Sequence, residues 1–263
     1  MHLKRLITAV IALPVFYLLV AKLSPVFFLG LLILVTVAGQ KEFHDMYKAG
    51  GVPSLIGMTG GALFLLSLLS SSDTVTPVGV ATASFMAIAA ARLFTIKDPS
   101  SSLKDLAPVI VGFLYIPPLL SAQWHLRLIG YEWILFLYGC VWASDSLAYY
   151  AGKGLGKRKL YPEVSPNKTV AGGVGSFIGG VIAAIILGKL LINMEVWRLA
   201  VMGLSIGGIT IVGDLVESMF KRDAGVKDSG SIIPGHGGIL DKIDGVLYAG
   251  PVLYFLTTVL IPQ

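Results

Sequence analysis

The sequence predicts an all-α, polytopic integral membrane protein with about nine transmembrane helices. Three observations carry that reading. Of the 263 residues, 55% are hydrophobic and only 13% are charged, whereas soluble domains carry about 25% charged residues. The mean hydropathy is +0.81. The apolar residues fall in runs close to the roughly 20 residues that a spanning helix needs. Charges this sparse do not cover a soluble globule of this length, which excludes a soluble cytosolic enzyme, a disordered chain and a coiled coil. The single cysteine, Cys140, excludes an intrachain disulfide and a multi-cysteine metal site.

The predicted spans, in order, are 6–21, 24–40, 53–71, 76–93, 106–124, 132–151, 170–192, 196–217 and 245–262. The first follows Lys4 and Arg5, as the core of a signal peptide would. No small-x-small cleavage site follows at Val20-Ala21-Lys22-Leu23, so the segment reads as a span. The second and fifth are the shortest. The fifth also contains Pro117-Pro118, which kinks or breaks a helix. The sixth carries Asp145 inside it. The seventh begins in a glycine-dense stretch with Gly175 and Gly179 four residues apart. Small residues at that spacing let helices approach closely, either inside one chain or in a homodimer. The eighth ends on Asp214 and Glu217, and the ninth is preceded by Asp241 and Asp244.

Orientation follows from the basic residues. Nine spans place loops 41–52, 94–105, 152–169 and 218–244 on the side of the N-terminus. Sixteen of the 20 Lys and Arg residues fall on that side, and only Lys22, Arg127, Lys189 and Arg198 fall on the other. The positive-inside rule makes the richer side cytoplasmic and puts the C-terminus outside. The net charge of +5 reflects this segregation, and no nucleic-acid partner is expected. No internal repeat is visible. The chain divides into 1–125, a set of packing helices with lipid or dimer contacts, and 126–263, which holds the polar chemistry.

Asp145 is expected about 9 Å below the cytoplasmic end of its helix, at 1.5 Å of rise per residue. Ionisable groups at such depth are costly and mark functional sites. Asp214, Glu217 and Ser218 share one helix face, and Asp241 and Asp244 share another. Carboxylates gathered at one membrane boundary repel unless a cation neutralises them. Spacing alone leaves two solutions open: salt bridges to the neighbouring lysines, or a hard divalent ion such as Mg²⁺, which prefers oxygen ligands. Lys221, Arg222 and Lys227 lie beside the carboxylates, as suits a metal-bound polyphosphate. His236 sits between Pro234-Gly235 and Gly237-Gly238, where the backbone can approach a phosphate. In the second loop, Ser165, Lys168 and Thr169 precede a helix start, where free N–H groups favour anions. The lysines before them suit anionic headgroups.

These residues resemble the signature of the phosphatidate cytidylyltransferases, or CDP-diacylglycerol synthases. The matching elements are Ser218, Lys221-Arg222, Lys227-Asp228, His236-Gly237-Gly238 and Asp241-Lys242-Ile243-Asp244. Upstream, Asp145-Ser146, Ala148-Tyr149, Gly152-Lys153 and Ser165-Pro166-Asn167-Lys168-Thr169 resemble further family elements. Lys242 stands where the family usually has Arg, Asn167 where it usually has Lys, and Ala171 where it often has Glu. Residues 1–125 share only the hydrophobic layout. The resemblance implies that CTP and phosphatidic acid give CDP-diacylglycerol and pyrophosphate, in phospholipid biosynthesis, at a bacterial inner membrane. It assigns metal binding to Asp214 and Asp241, with Asp244 and Glu217 beside them and Mg²⁺, as one ion or two, as cofactor. It assigns the phosphates to Lys221, Arg222, Lys227 and Lys168, and a metal or cytidine contact to Asp145. Two other readings stay open. One is a CTP-dependent kinase or cytidylyltransferase acting on a polyprenol or ether lipid. The other is a secondary transporter, although transporter carboxylates tend to lie at the midplane in repeat-related halves.

Overall fold

The computed structural model describes residues 13–70, 75–232 and 237–261. Helix α1 is described over 13–21, and the rest of the first predicted span lies outside the described residues. It is followed by α2 (Pro25–Met46), α3 (Gly51–Ser67), α4 (Val75–Thr95), α5 (Ser102–Tyr115), α6 (Pro117–Ile129) and α7 (Tyr131–Leu155). A hairpin of β1 (Lys159–Tyr161) and β2 (Ser165–Thr169) leads into α8 (Val170–Leu191), α9 (Val196–Asp223) and α10 (Leu240–Leu260). The expected all-α polytopic architecture is present. Seven stretches among the described residues are long and apolar enough to cross a membrane, with α5 and α6 together forming one of them. Helix α7 has the length, at 25 residues, but its acidic and aromatic residues make it less apolar.

The structure refines the predicted segments in three places. The Pro117-Pro118 span breaks at Ile116, where α5 ends and α6 begins. Proline fits the first turn of α6 because its missing N–H would have no partner there. Loop 152–169 contains a two-stranded antiparallel hairpin, with Lys159 opposite Thr169 and Tyr161 opposite Ser165. Helices α9 and α10 also run past their apolar cores. Lys221, Arg222, Asp241 and Asp244 are therefore helical residues rather than loop residues. Helix α9 stops at Gly225, whose φ is +72°. The Val226 amide reaches the Lys221 carbonyl (2.8 Å) and the Gly225 amide the Arg222 carbonyl (3.1 Å). This pattern closes a helix on a left-handed glycine.

Backbone contact between α7, α8 and α9 fixes the C-terminal half. A Cβ added at Gly175 or Gly179 would come within 2.7 Å of the Leu147 and Ala143 carbonyls of α7. On the other flank of α8, the Ser176 hydroxyl donates to the Gly207 carbonyl of α9 at 2.8 Å. Gly175 and Gly179 are thus occupied by α7 inside the chain, and that pair does not serve a dimer contact. Ile134, Phe136 and Leu137 of α7 pack with Leu199 and Met202 of α9 and Leu253 of α10 in the main core. A second apolar cluster, of Phe43, Ile116, Leu120, Leu240 and Leu247, underlies the start of α10.

Gly179→Leu is expected to force α8 off α7 and to cost about 1–3 kcal/mol or more, as overpacking does. Gly79→Ala, at a position with nothing within 4 Å, should leave stability unchanged or slightly raised. Thermal unfolding of the detergent-solubilised variants checks both.

Candidate active site

Four chain segments meet at one end of the helix bundle: the end of α2, the hairpin before α8, the end of α9 and the start of α10. Three of the four basic loops expected on one side are thereby brought together. The Tyr47 hydroxyl, just beyond α2, lies 2.9 Å from Asp223 and 3.2 Å from the Phe220 carbonyl, and donates to one of them at a time. Burial, and then the Asp223 carboxylate, push the Tyr47 phenol above its usual range, so it stays a neutral donor. The Arg222 guanidinium donates to the Val164 carbonyl (3.3 Å) and the Val226 carbonyl (2.9 Å), tying the hairpin turn to the end of α9. The fourth loop, 94–105, is closed on itself by buried Arg92, which donates to Asp105 and to the Ile96 and Asp98 carbonyls, each at 2.8 Å.

The acidic residues fall into two linked groups. In the first, the Lys221 ammonium lies 2.6 Å from Glu217 and 2.6 Å from Asp241, bridging α9 to α10. Both lysine and carboxylates are largely buried. Attraction between such groups is far stronger than in water, and loss of one partner strands the other charge. Asp241 is held from several sides. Its Oδ2 accepts from the Ser229 amide (2.9 Å), the Ser229 hydroxyl (3.0 Å) and the Gly238 amide (2.8 Å).

The second group borders a cavity of about 460 Å³ between α7, α8, α9 and the hairpin. Asp145, Tyr149, Lys153, Asn167, Lys168 and Asp214 are among its lining residues. The Lys168 ammonium is 2.5 Å from Asp214, and the Ser218 hydroxyl donates to Asp214 at 3.3 Å. Asp244 lies against α9 beside Asp214: a Cβ added at Gly213 would come 2.6 Å from the Asp244 carbonyl. Asp244 accepts from the Gly245 amide at 2.8 Å.

Most of the expected site residues are therefore brought together. Asp145, Lys168 and Asp214 share the cavity. Glu217, Lys221 and Asp241 form the ion triad, and Asp244 lies one turn further along α10. Thr169 lines the cavity but spends its hydroxyl on capping α8, accepting from the Gly172 amide at 3.1 Å. Ser165 is a strand residue paired with Tyr161. Arg222 and Lys227 are exposed. His236 lies outside the described residues. Glu42 of α2 was not anticipated, because the predicted second span stopped at Gln40. Its carboxylate accepts from the Ile239 amide (2.8 Å) and the Leu240 amide (3.0 Å) at the start of α10. The signal that could have found it is the i, i+3 pair of Phe43 and Met46, both buried, which carries an apolar stripe on past the charges.

The donor set suits a hard cation. Five carboxylates, Asp145, Asp214, Glu217, Asp241 and Asp244, face two lysine ammoniums, Lys168 and Lys221. Glu217 Oε1 is buried with no hydrogen-bond partner among the described residues. No three His, Cys, Asp or Glu side chains among those residues are already gathered as a cage. Mg²⁺ does not require one, since it commonly uses one or two carboxylates with waters and substrate phosphates.

The comparisons with known proteins agree with this chemistry. A family model described as the cytidylyltransferase family matches residues 3–260. A protein of Staphylococcus epidermidis named phosphatidate cytidylyltransferase is 33% identical over 268 residues, covering 96% of this chain and 97% of its own. Proteins of the same name from Synechocystis (33% identical; 98% and 97% covered) and Staphylococcus aureus (35% identical; 96% and 97% covered) are similar along their whole lengths. The similarity takes in α1–α6 as well as the signature region, so the N-terminal half is part of the same unit. With the acidic cavity, the signature residues and the full-length match in agreement, the chain belongs to the cytidylyltransferase family.

Proposed function

We propose that the chain transfers the cytidylyl group of CTP to phosphatidic acid, giving CDP-diacylglycerol and pyrophosphate. The observation that carries this reading is the polar cavity between α7, α8 and α9, with Lys168 and Asp214 on its wall and the Glu217–Lys221–Asp241 triad behind it. It lies at helix ends, where a soluble nucleotide and a membrane lipid can both arrive. The basic residues of those loops support a cytoplasmic position for that end, in a bacterial inner membrane.

A phosphate oxygen of the lipid attacks the α-phosphorus of CTP. One P–O bond forms, the bond to the β-phosphate oxygen breaks, and pyrophosphate leaves. The nucleophile is already anionic at neutral pH, so no general base is needed. The barrier lies in bringing two anions together, and positioning with electrostatic stabilisation supplies most of the catalysis of such transfers. Lys168 meets the phosphates at the cavity wall, with Arg222 at the end of α9 and Lys227 in the loop after it as further cations. Ser218 orients Asp214, and Lys221 holds Asp241. Asp214, Asp241, Asp244 and Glu217 are the residues that would hold Mg²⁺, as one ion or with a second cation. Bound there, the ion supplies charge neutralisation and orientation of the triphosphate. Asp145, on the cavity wall, serves as a further metal or cytidine contact.

The test is turnover with phosphatidic acid and α-labelled CTP, with Mg²⁺ or with EDTA. Label is expected in lipid only with metal. Asp214→Asn and Asp241→Asn should each lower kcat at least about a hundredfold, the scale of lost electrostatic stabilisation. Near-normal turnover in either would remove the centre of the mechanism. Label entering lipid only from γ-labelled CTP with a polyprenol acceptor would favour a kinase instead.

The two lysines should behave differently. Lys168→Ala, at a side chain 23% exposed, should raise KM for CTP with little loss of stability. Lys221→Ala strands Glu217 and Asp241, and should lower the unfolding temperature as well as kcat, at a cost of about 3–5 kcal/mol. Steady-state kinetics and thermal unfolding of both variants provide the comparison.

A further inference from the structure

The geometry points to Glu42, on α2 in the N-terminal half, as a positioning residue that sets the place of Asp241 by capping α10 from outside its own segment. This rests on the functional reading above, in which Asp241 belongs to the site.

The first turn of any helix leaves four amides without intrahelical partners. A Ser, Thr, Asp or Asn at the cap position normally satisfies some of them. Helix α10 has Ile239 at that position, and no side chain of its own caps it there. Glu42 fills the role across nearly 200 residues of sequence. Its Oε1 accepts from the Ile239 amide at 2.8 Å and its Oε2 from the Leu240 amide at 3.0 Å. The residue is 4% exposed. A buried carboxylate is costly unless fully bonded, and the positive end of the α10 dipole adds to its stabilisation.

The same carboxylate reaches the site through one hydroxyl. Ser229 Oγ lies 3.1 Å from Glu42 Oε2 and 3.0 Å from Asp241 Oδ2. A hydroxyl has one proton, so it donates to one carboxylate at a time, and both are anchored to the same point. Two glycines of the loop make room for Glu42. A Cβ on Gly230 would fall 2.7 Å from Glu42 Oε1, and one on Gly238 would overlap Oε2. Gly238 thus has a steric reason to be glycine beyond any approach to phosphate. Apolar packing holds the arrangement from below. Phe43, next to Glu42, and Leu240, next to Asp241, share one buried cluster, and Gly39 of α2 sits against Leu240.

Glu42→Gln is the discriminating variant, because it keeps the shape but replaces one acceptor oxygen with a donor that must face an N–H or the Ser229 hydroxyl. With phosphatidic acid and CTP, kcat is expected to fall about tenfold to a hundredfold, as small misplacements do. KM for CTP should stay within about twofold, since the cavity wall is untouched. Hydrogen exchange read by mass spectrometry should rise in peptides covering 226–242 and stay unchanged in α7 and α8. Ser229→Ala, which removes only the shared hydroxyl, should move the same readouts in the same direction by less, and serves if Glu42→Gln does not reach the membrane. Wild-type protein that forms no cytidylyl lipid overturns the functional reading and this role with it. Wild-type turnover alongside a Glu42→Gln variant that retains kcat overturns this role alone. Exchange raised evenly through all helices does the same.

Discussion

Lys221 occupies the point on which the rest of the site depends. Its ammonium is shared by Glu217, one helical turn behind it, and by Asp241 on α10. A buried lysine is tolerated only with its charge met, and buried carboxylates likewise. The three groups therefore hold α9 and α10 at one separation. Asp214 lies two turns back along α9 and Asp244 one turn on along α10, so the same bridge fixes how far apart those two can be. Asp214 is turned toward the cavity by Lys168 and Ser218, which leaves the carboxylates distributed between a buried ion triad and an open cavity wall.

That division needs rigid helices, and the rigidity comes from backbone contact. Helix α8 is pressed onto α7 through Gly172, Gly175 and Gly179, and onto α9 through Gly180, Ser176 and Gly207. Within a bilayer, helix association gains little from burying apolar surface, so close van der Waals contact and interhelical hydrogen bonds carry it. Three helices locked in this way bring Asp145, Lys168 and Asp214, from three different segments, to one cavity. Toward the hairpin, Gly152 and Gly172 continue the α7–α8 contact, while Gly173 faces open space at the cavity wall.

How much of this was legible in the sequence depends on the kind of signal. The spans follow from apolar runs, and the break at Pro117-Pro118 from a local rule about proline. The site in the C-terminal half was legible because charged residues are rare in such a chain and their spacing is local. Helix ends were less legible. Hydropathy stops where charges begin, yet α2, α9 and α10 continue through Glu42, Lys221-Arg222 and Asp241. For Glu42, Lys221 and Asp241 a partner on another helix satisfies the charge, and for Arg222 carbonyls of the hairpin turn and of Val226 do so; partners on other segments cannot be read from the segment itself. The β1–β2 hairpin was missed for a similar reason, since only five residues of β2 and three of β1 are involved and their pairing carries no apolar alternation.

The N-terminal half illustrates what a hydrophobic layout conceals. From composition, residues 1–125 supply packing. In the structure α2 delivers Glu42 to the amides of Ile239 and Leu240 and Tyr47 to the end of α9. It therefore touches both helices that carry the acidic pairs. Helix α10 cannot cap itself with Ile239, and a loop with several glycines has little preference of its own for one conformation. A rigid acceptor from elsewhere converts that loop into a defined start for α10, and Asp241 follows one residue after the capped amides. The C-terminal half is thus not self-sufficient: the start of α10, and Asp241 with it, is held by a helix that shares no signature residue with it, which gives a physical reason for the family match to extend along the whole chain.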